Sequence, residues 1–279
     1  MYPLHIRRQA VSMHRSGLSI SEVSRQTGIS RAAIRDWVVN PEKLTERAEE
    51  TCVRCAPFPS LPEPQSSYSY LLGLYLGDGC ISYAGDRKKE VWGLRIFCAN
   101  TWPGLTHECV DTLQALLPHH RIGTVSRPGC TEAVARWQHW PCLFPQHGPG
   151  RKHKRRIELT PWQRDIVDRH PEKLVRGLFH SDGCRVTNRV RRTVGGTWKY
   201  YEYPRSLFST TSEEILDLLG AALDRLGVRW SLRFRDNGRH RRSGILSVAG
   251  RTSVALLGSF VGDKRRQVRL PATFRLFRT

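Results

Sequence analysis

One nine-residue pattern occurs twice in this chain and limits its fold more than any other feature. It reads Leu71-Leu72-Gly73-Leu74-Tyr75-Leu76-Gly77-Asp78-Gly79 and again Val175-Arg176-Gly177-Leu178-Phe179-His180-Ser181-Asp182-Gly183. Each copy is a mostly apolar segment with glycine third, a lone acid eighth and glycine ninth. The acids stand 104 positions apart, which leaves room for one α+β unit between copies. The chain is therefore expected to be a duplication that presents two carboxylates symmetrically.

The course of the chain after each Asp-Gly supports the duplication. In the first copy two strands are expected within 81–99 around Gly85-Asp86, then a helix near 103–117 and strands near 121–127 and 131–142. In the second, strands near 184–194 and 200–210 precede a helix from Thr211-Ser212-Glu213-Glu214 to Leu226. Strands near 228–235 and 243–249 and a last helix near 251–261 follow. Arginines alternate along these strands. Arg189, Arg191, Arg233 and Arg235 are the candidates for a basic sheet face that contacts nucleic acid.

Charge points the same way. The 279 residues carry 45 basic against 25 acidic side chains, a formal net charge of +20. That composition favours a polyanionic partner, and nucleic acid above all. Only eight of the basic residues are lysine, yet three lie in two similar tracts. These are Arg151-Lys152-His153-Lys154-Arg155-Arg156 and Lys264-Arg265-Arg266, each some eighty residues beyond its aspartate. The eight scattered cysteines do not resemble a secreted disulfide framework. No signal peptide and no apolar run long enough for a membrane span is read, so a cytoplasmic protein is expected.

Residues 1–41 are expected to be a small all-α domain. Helices are read at Leu4–Arg15, from the Ser19-Ile20-Ser21-Glu22 capping box to about Gln26, and from Ser30 through Val39. Gly28 suits the turn between the last two. The apolar residues Ile20, Val23, Ile29, Ile34 and Trp37 would pack together and leave Ser30, Arg31, Ala32 and Arg35 on the open face of the third helix. This resembles the helix-turn-helix, whose second motif helix enters the major groove.

A proline-rich linker is read over 42–66. Just before its prolines, Cys52-x-x-Cys55 supplies two of the four ligands of a structural zinc site. No second pair follows, so zinc would need Cys80, Cys98 or a histidine, and free thiols are the plainer reading.

The two nine-residue segments resemble the LAGLIDADG motif of homing endonucleases, and the resemblance covers about 66–279. It implies an α+β fold of two pseudo-symmetric αββαββα repeats, 67–170 and 171–279, forming a saddle. The motif helices would pack together at its centre, with Gly73 and Gly177 allowing close approach. By resemblance Asp78 and Asp182, with the backbone carbonyls of Gly77 and Ser181, would bind Mg²⁺ below the minor groove. Lys154 and Lys264 would be the auxiliary basic residues, with Lys152 competing with Lys154. The implied activity is Mg-dependent hydrolysis of both strands of double-stranded DNA by a monomer. His180 and Ser181 depart from the small or apolar residues usual before the acid. A non-cleaving transcription regulator on the same scaffold, similar to the WhiA type, is the alternative, and a maturase acting on RNA a third.

Overall fold

A computed structural model of the chain describes residues 4–41, 61–85, 91–148, 150, 152–237, 240–262 and 264. It divides into two units, 1–60 and 61–279. The Cys52 and Cys55 pair, most of the linker and the tract after Lys264 lie outside the described residues.

In the first unit local capping chemistry sets the helix ends. α1 spans Leu4–Arg15, α2 Ile20–Thr27 and α3 Arg31–Val39. At α2 the Ser19 hydroxyl accepts from the Glu22 N–H at 3.2 Å, and the Glu22 carboxylate accepts from the Ser19 N–H at 3.0 Å. Two of the orphan donors of a helix start are thus satisfied reciprocally. Gly28 ends α2 at φ 71°, where a side chain would be strained, and Ser30 caps α3. Ala10, Val11, Val23, Ile29, Ile34 and Trp37 form a core of this unit's own.

The second unit is the duplication. Its first half runs α4 (Gln65–Leu76), β1 (Gly79–Tyr83), β2 (Trp92–Ala99), α5 (Pro103–Leu116), β3 (Ile122–Arg127) and β4 (Cys130–Trp137). After α6 (Trp140–Leu143), a 3-10 turn at Lys152–Lys154 and α7 (Pro161–Arg169), the pattern repeats. The second half is α8 (Pro171–Ser181), β5 (Gly183–Val194), β6 (Thr197–Thr210), α9 (Glu213–Arg225), β7 (Ser231–Asn237), β8 (His240–Ala249) and α10 (Arg251–Val261). The two antiparallel sheets have the same order, β1-β2-β4-β3 and β5-β6-β8-β7.

Two elements differ from expectation. The strand expected to reach residue 142 stops at Trp137, and α6 takes over at Trp140. Pro141 cannot donate to a ladder but fits a helix's first turn, and the Trp140 indole N–H bonds the Ala135 carbonyl at 2.9 Å. α7, opened by a Thr160–Gln163 capping box with Pro161 in its first turn, was not expected.

α4 and α8 pack directly on each other. Tyr68 to Leu76 are all buried, as a helix surrounded on every side requires. A single core extends from this pair to both sheets through Leu94, Ile96, Ala133 and Ala135 on one side and Phe208, Leu246 and Val248 on the other.

Candidate metal and nucleic-acid site

The close approach of α4 and α8 follows from absent side chains. A Cβ on Gly73 would lie 2.5 Å from the Leu174 carbonyl oxygen and 2.9 Å from the Gly177 Cα. A Cβ on Gly177 would lie 2.9 Å from both the Gly73 Cα and the Leu74 nitrogen. The helices therefore meet backbone to backbone, and their C-terminal ends arrive together. One turn on, a Cβ on Gly77 would run into the Ser181 side chain and stand 3.1 Å from an Asp182 carboxylate oxygen. Asp182 thus lies against the end of α4, the helix of the other copy.

The electrostatics record this proximity. Burial, and then the Asp182 carboxylate, push the Asp78 carboxyl up to about 6, while Lys264 and Lys152 pull it down. Asp182 is raised as well, through burial of its surroundings, although its side chain reaches solvent. Two carboxyls held where neither ionises freely form a site that favours a cation.

Two lysines supply cations from the protein itself. The Lys152 ammonium donates to the carbonyls of Tyr75, Gly77 (2.6 Å) and Gly79 (3.1 Å). It lies beside the Tyr75 ring, 5.2 Å from the centroid. Burial pulls it down to about 8 against the attraction of Asp182 and Asp78. The Lys264 ammonium donates to the Ser181 carbonyl at 3.1 Å, and burial lowers it too. The carbonyl preceding each aspartate thus accepts from one lysine, in pseudo-twofold fashion.

The two lysines of the first tract, both held as candidates, are placed differently, and Lys154 lies away from the aspartates. Its side chain is exposed, while Lys152, two positions earlier on the same 3-10 turn, faces the aspartates. Sequence alone could not separate two lysines in one tract, because a tight turn sends its side chains in divergent directions. A polar network fixes the segment that bears Lys152. Gln146 donates to the Glu158 carbonyl and to Gln163, both at 2.7 Å. Gln163 donates to the Tyr68 hydroxyl at 2.7 Å, which donates to the Leu143 carbonyl at 2.6 Å.

The basic sheet faces are only partly those expected. In the second sheet Phe208, Leu246 and Leu232 lie in register on the core side, so Arg233 and Arg235 point to the other face. Arg205 shares that outer face, and Arg192 has the same parity on β5. Arg189 and Arg191 have the opposite parity, that of Phe208, so the four expected arginines do not form one face. They lie where β5 and β6 run on past the end of β8, with Arg189 stacked 4.2 Å above the Tyr200 ring and Arg191 3.9 Å above Trp198. In the first sheet Arg95, Arg127 and Arg136 stand on the face opposite Ile96 and Ala133. Arg95 and Arg127 pair with the buried Glu132 at 3.7 and 2.8 Å. These arginines were missed, and strand parity relative to core residues was the signal that could have found them. In the other unit Ser30, Arg31, Ala32 and Arg35 are all exposed on α3.

Among the described residues no three His, Cys, Asp or Glu side chains cluster as a metal site. A hard ion such as Mg²⁺ needs fewer, since it is held by one or two carboxylates and keeps several waters. Asp78 and Asp182, with the Gly77 and Ser181 carbonyls beside them, fit that all-oxygen chemistry. No described helix is long and apolar enough to cross a membrane.

Solved structures with a similar fold include the homing endonuclease I-DmoI in complex with DNA and Mn, at 16% identity and TM-score 0.46. That match covers 71% of this chain and 98% of the other. The homing endonuclease I-WcaI bound to its DNA recognition sequence matches at 14% identity and TM-score 0.44, covering 74% of this chain and 84% of that one. The N-terminal LAGLIDADG domain of DUF199/WhiA matches at 14% identity and TM-score 0.43, covering 76% and 87%. No protein-family model matches the chain, and no curated protein matches its sequence.

Proposed function

We propose that the chain is a LAGLIDADG-type DNA endonuclease that hydrolyses phosphodiester bonds in both strands of a duplex. The observation carrying this reading is the convergence of Asp78 and Asp182 at the ends of two crossed helices, with a lysine on the carbonyl before each acid. A binding scaffold has no need of two carboxyls with raised pKa in a chain of net charge +20.

In this reading Asp78 and Asp182 hold Mg²⁺ with the Gly77 and Ser181 carbonyls. The ion, when bound, supplies Lewis-acid activation of water and charge stabilisation at the leaving oxygen. The protein's own part is orientation and charge. Among the described residues Lys264 makes one bond, to the Ser181 carbonyl, and its other N–H donors would serve a phosphate oxygen or the attacking water. The outer-face arginines Arg95, Arg136, Arg205, Arg233 and Arg235 grip the sugar–phosphate backbone. Ser30, Arg31, Ala32 and Arg35 of α3 read a neighbouring stretch of major groove, so the helix-turn-helix lengthens the recognised site.

One observation favours the non-cleaving regulator. All three donors of Lys152 are taken by backbone carbonyls, which makes it a helix cap as much as a reagent. A plasmid carrying the gene's flanking genomic DNA decides between the two. Linearisation with Mg²⁺, absent with EDTA and in Asp78→Asn and Asp182→Asn, establishes the nuclease. Tight, specific binding without cleavage establishes the regulator.

A further inference from the structure

Aligning the two motif copies pairs Leu72 with Arg176 and Leu76 with His180. Both leucines are buried core residues. Their counterparts are polar, and His180 is only 1% exposed. A buried imidazole and a half-buried guanidinium in place of two leucines call for partners.

Those partners lie at the end of α10. The His180 Nε2–H donates to the Val261 carbonyl at 2.9 Å, and Nδ1 accepts from the Tyr70 hydroxyl at 2.8 Å. The Arg176 guanidinium donates to the Phe260 and Val261 carbonyls at 3.0 and 2.8 Å, and to the Glu108 carboxylate at 2.8 Å. Arg185 donates to the Gly262 carbonyl at 3.0 Å. The last carbonyls of a helix have no partner within it, and here side chains of α8 and β5 satisfy three in a row. Two residues beyond Gly262 stands Lys264, bonded to the Ser181 carbonyl. The donors at 176, 180 and 185 bracket Asp182, and the carbonyls they hold lead directly into Lys264.

We infer that His180, oriented by Tyr70 and assisted by Arg176, is a positioning residue that latches the end of α10 so that Lys264 sits over Asp182. The latch belongs to one half of the site only. Lys152 is set instead by the Gln146, Gln163 and Tyr68 network, which shares no residue with the latch. Releasing the latch therefore disturbs Lys264 and spares Lys152. Where the proposed nuclease activity holds, it slows cutting of one strand and leaves the other.

The test uses the full chain with His180→Leu, which copies the residue of the first repeat, and Tyr70→Phe/His180→Leu, which also removes the stranded hydroxyl. His180→Gln, which retains a donor, is the rescue. The first readout is acetylation by dilute acetic anhydride, followed lysine by lysine by mass spectrometry and normalised to the exposed Lys199. Lys264 should label about fivefold faster in both leucine variants, the equilibrium worth of one buried hydrogen bond, with Lys152 unchanged and the glutamine variant near wild type. The second readout is plasmid cutting, where the leucine variants should accumulate a nicked circle broken in the same strand as Lys264→Met leaves broken. Unchanged Lys264 labelling, or equal increases at Lys264 and Lys152, overturns the latch. Because labelling needs no DNA, a wild-type protein that cuts nothing overturns the nuclease reading while the latch is still decided.

Discussion

Gly73 and Gly177 touch backbone to backbone, each occupying the space that a methyl group on the other would need. This crossing brings the ends of α4 and α8 together and, with them, Asp78 and Asp182.

Gly73→Ala and Gly177→Ala should each destabilise the protein by about 3 kcal/mol, at the upper end of overpacking costs, because backbone rather than a flexible side chain must move. Gly123→Ala is the control, since a Cβ there meets nothing within 4 Å. Urea midpoints measure the contrast. A Gly73→Ala midpoint equal to that of Gly123→Ala would show that the helices do not cross as described.

Asp78→Asn should raise the melting temperature above pH 6. The folded carboxyl titrates near 6 against an ordinary 3.8, so the folded state binds more protons between these values. Stability therefore falls as pH rises from about 4 to about 6, and the penalty is complete above that window, about 1–2 kcal/mol after solvent screening. The amide carries no such penalty. Thermal scans in metal-free buffer should show the variant more stable at pH 7 and the gap closing near pH 4. A variant less stable at pH 7 would contradict the electrostatics.

Mg²⁺ should stabilise the wild-type chain at pH 7.5, by about 2.7 kcal/mol at a hundredfold excess over its dissociation constant. The gain should fade toward pH 5, where Asp78 takes up a proton. It should vanish in the Asp78→Asn/Asp182→Asn double variant. Calorimetry with and without the ion measures this, and a gain that survives in the double variant would place the ion elsewhere.

The lysines should separate cleanly. Lys264→Met should slow DNA cleavage about 10²–10³-fold, the usual loss for a donor aimed at developing charge. Lys154→Met should leave the rate near wild type, as expected of an exposed side chain. Lys152→Met should lower both the rate and the melting temperature, since it strands three carbonyls between the last turn of α4 and the start of β1. Single-turnover rates and thermal scans on the three proteins check the set. Equal losses in Lys152→Met and Lys154→Met would mean the 3-10 turn is oriented otherwise.

Much of this architecture was legible in residue order. The repeated pattern, Gly-x-x-x-Gly-Asp-Gly in the first copy and Gly-x-x-x-Ser-Asp-Gly in the second, required paired helices, because only glycine permits backbone contact and an acid after each apolar run has no packing role. Ser19, Glu22, Gly28 and Ser30 set the small helices by local hydrogen bonding, which sequence carries directly. Alternation and turn residues gave the strands, and Pro141 marked a ladder's end that a period-two reading passed over.

Other features arose only when distant segments met. Nothing local distinguishes Lys152 from Lys154, and the choice belongs to a turn held by Gln146, Gln163 and Tyr68 across the core. Nor could alternation alone say which arginines share a face, because parity has meaning only relative to Phe208 and Leu246 once the ladder is paired. His180 looked like a flaw in a motif until α10 brought the Val261 carbonyl to it. The amino-acid order thus determined which helices pair and where the acids stand, since those depend on side-chain size and local bonds. Folding decided which cations reach the acids, because that depends on contacts between residues 75 to 110 positions apart.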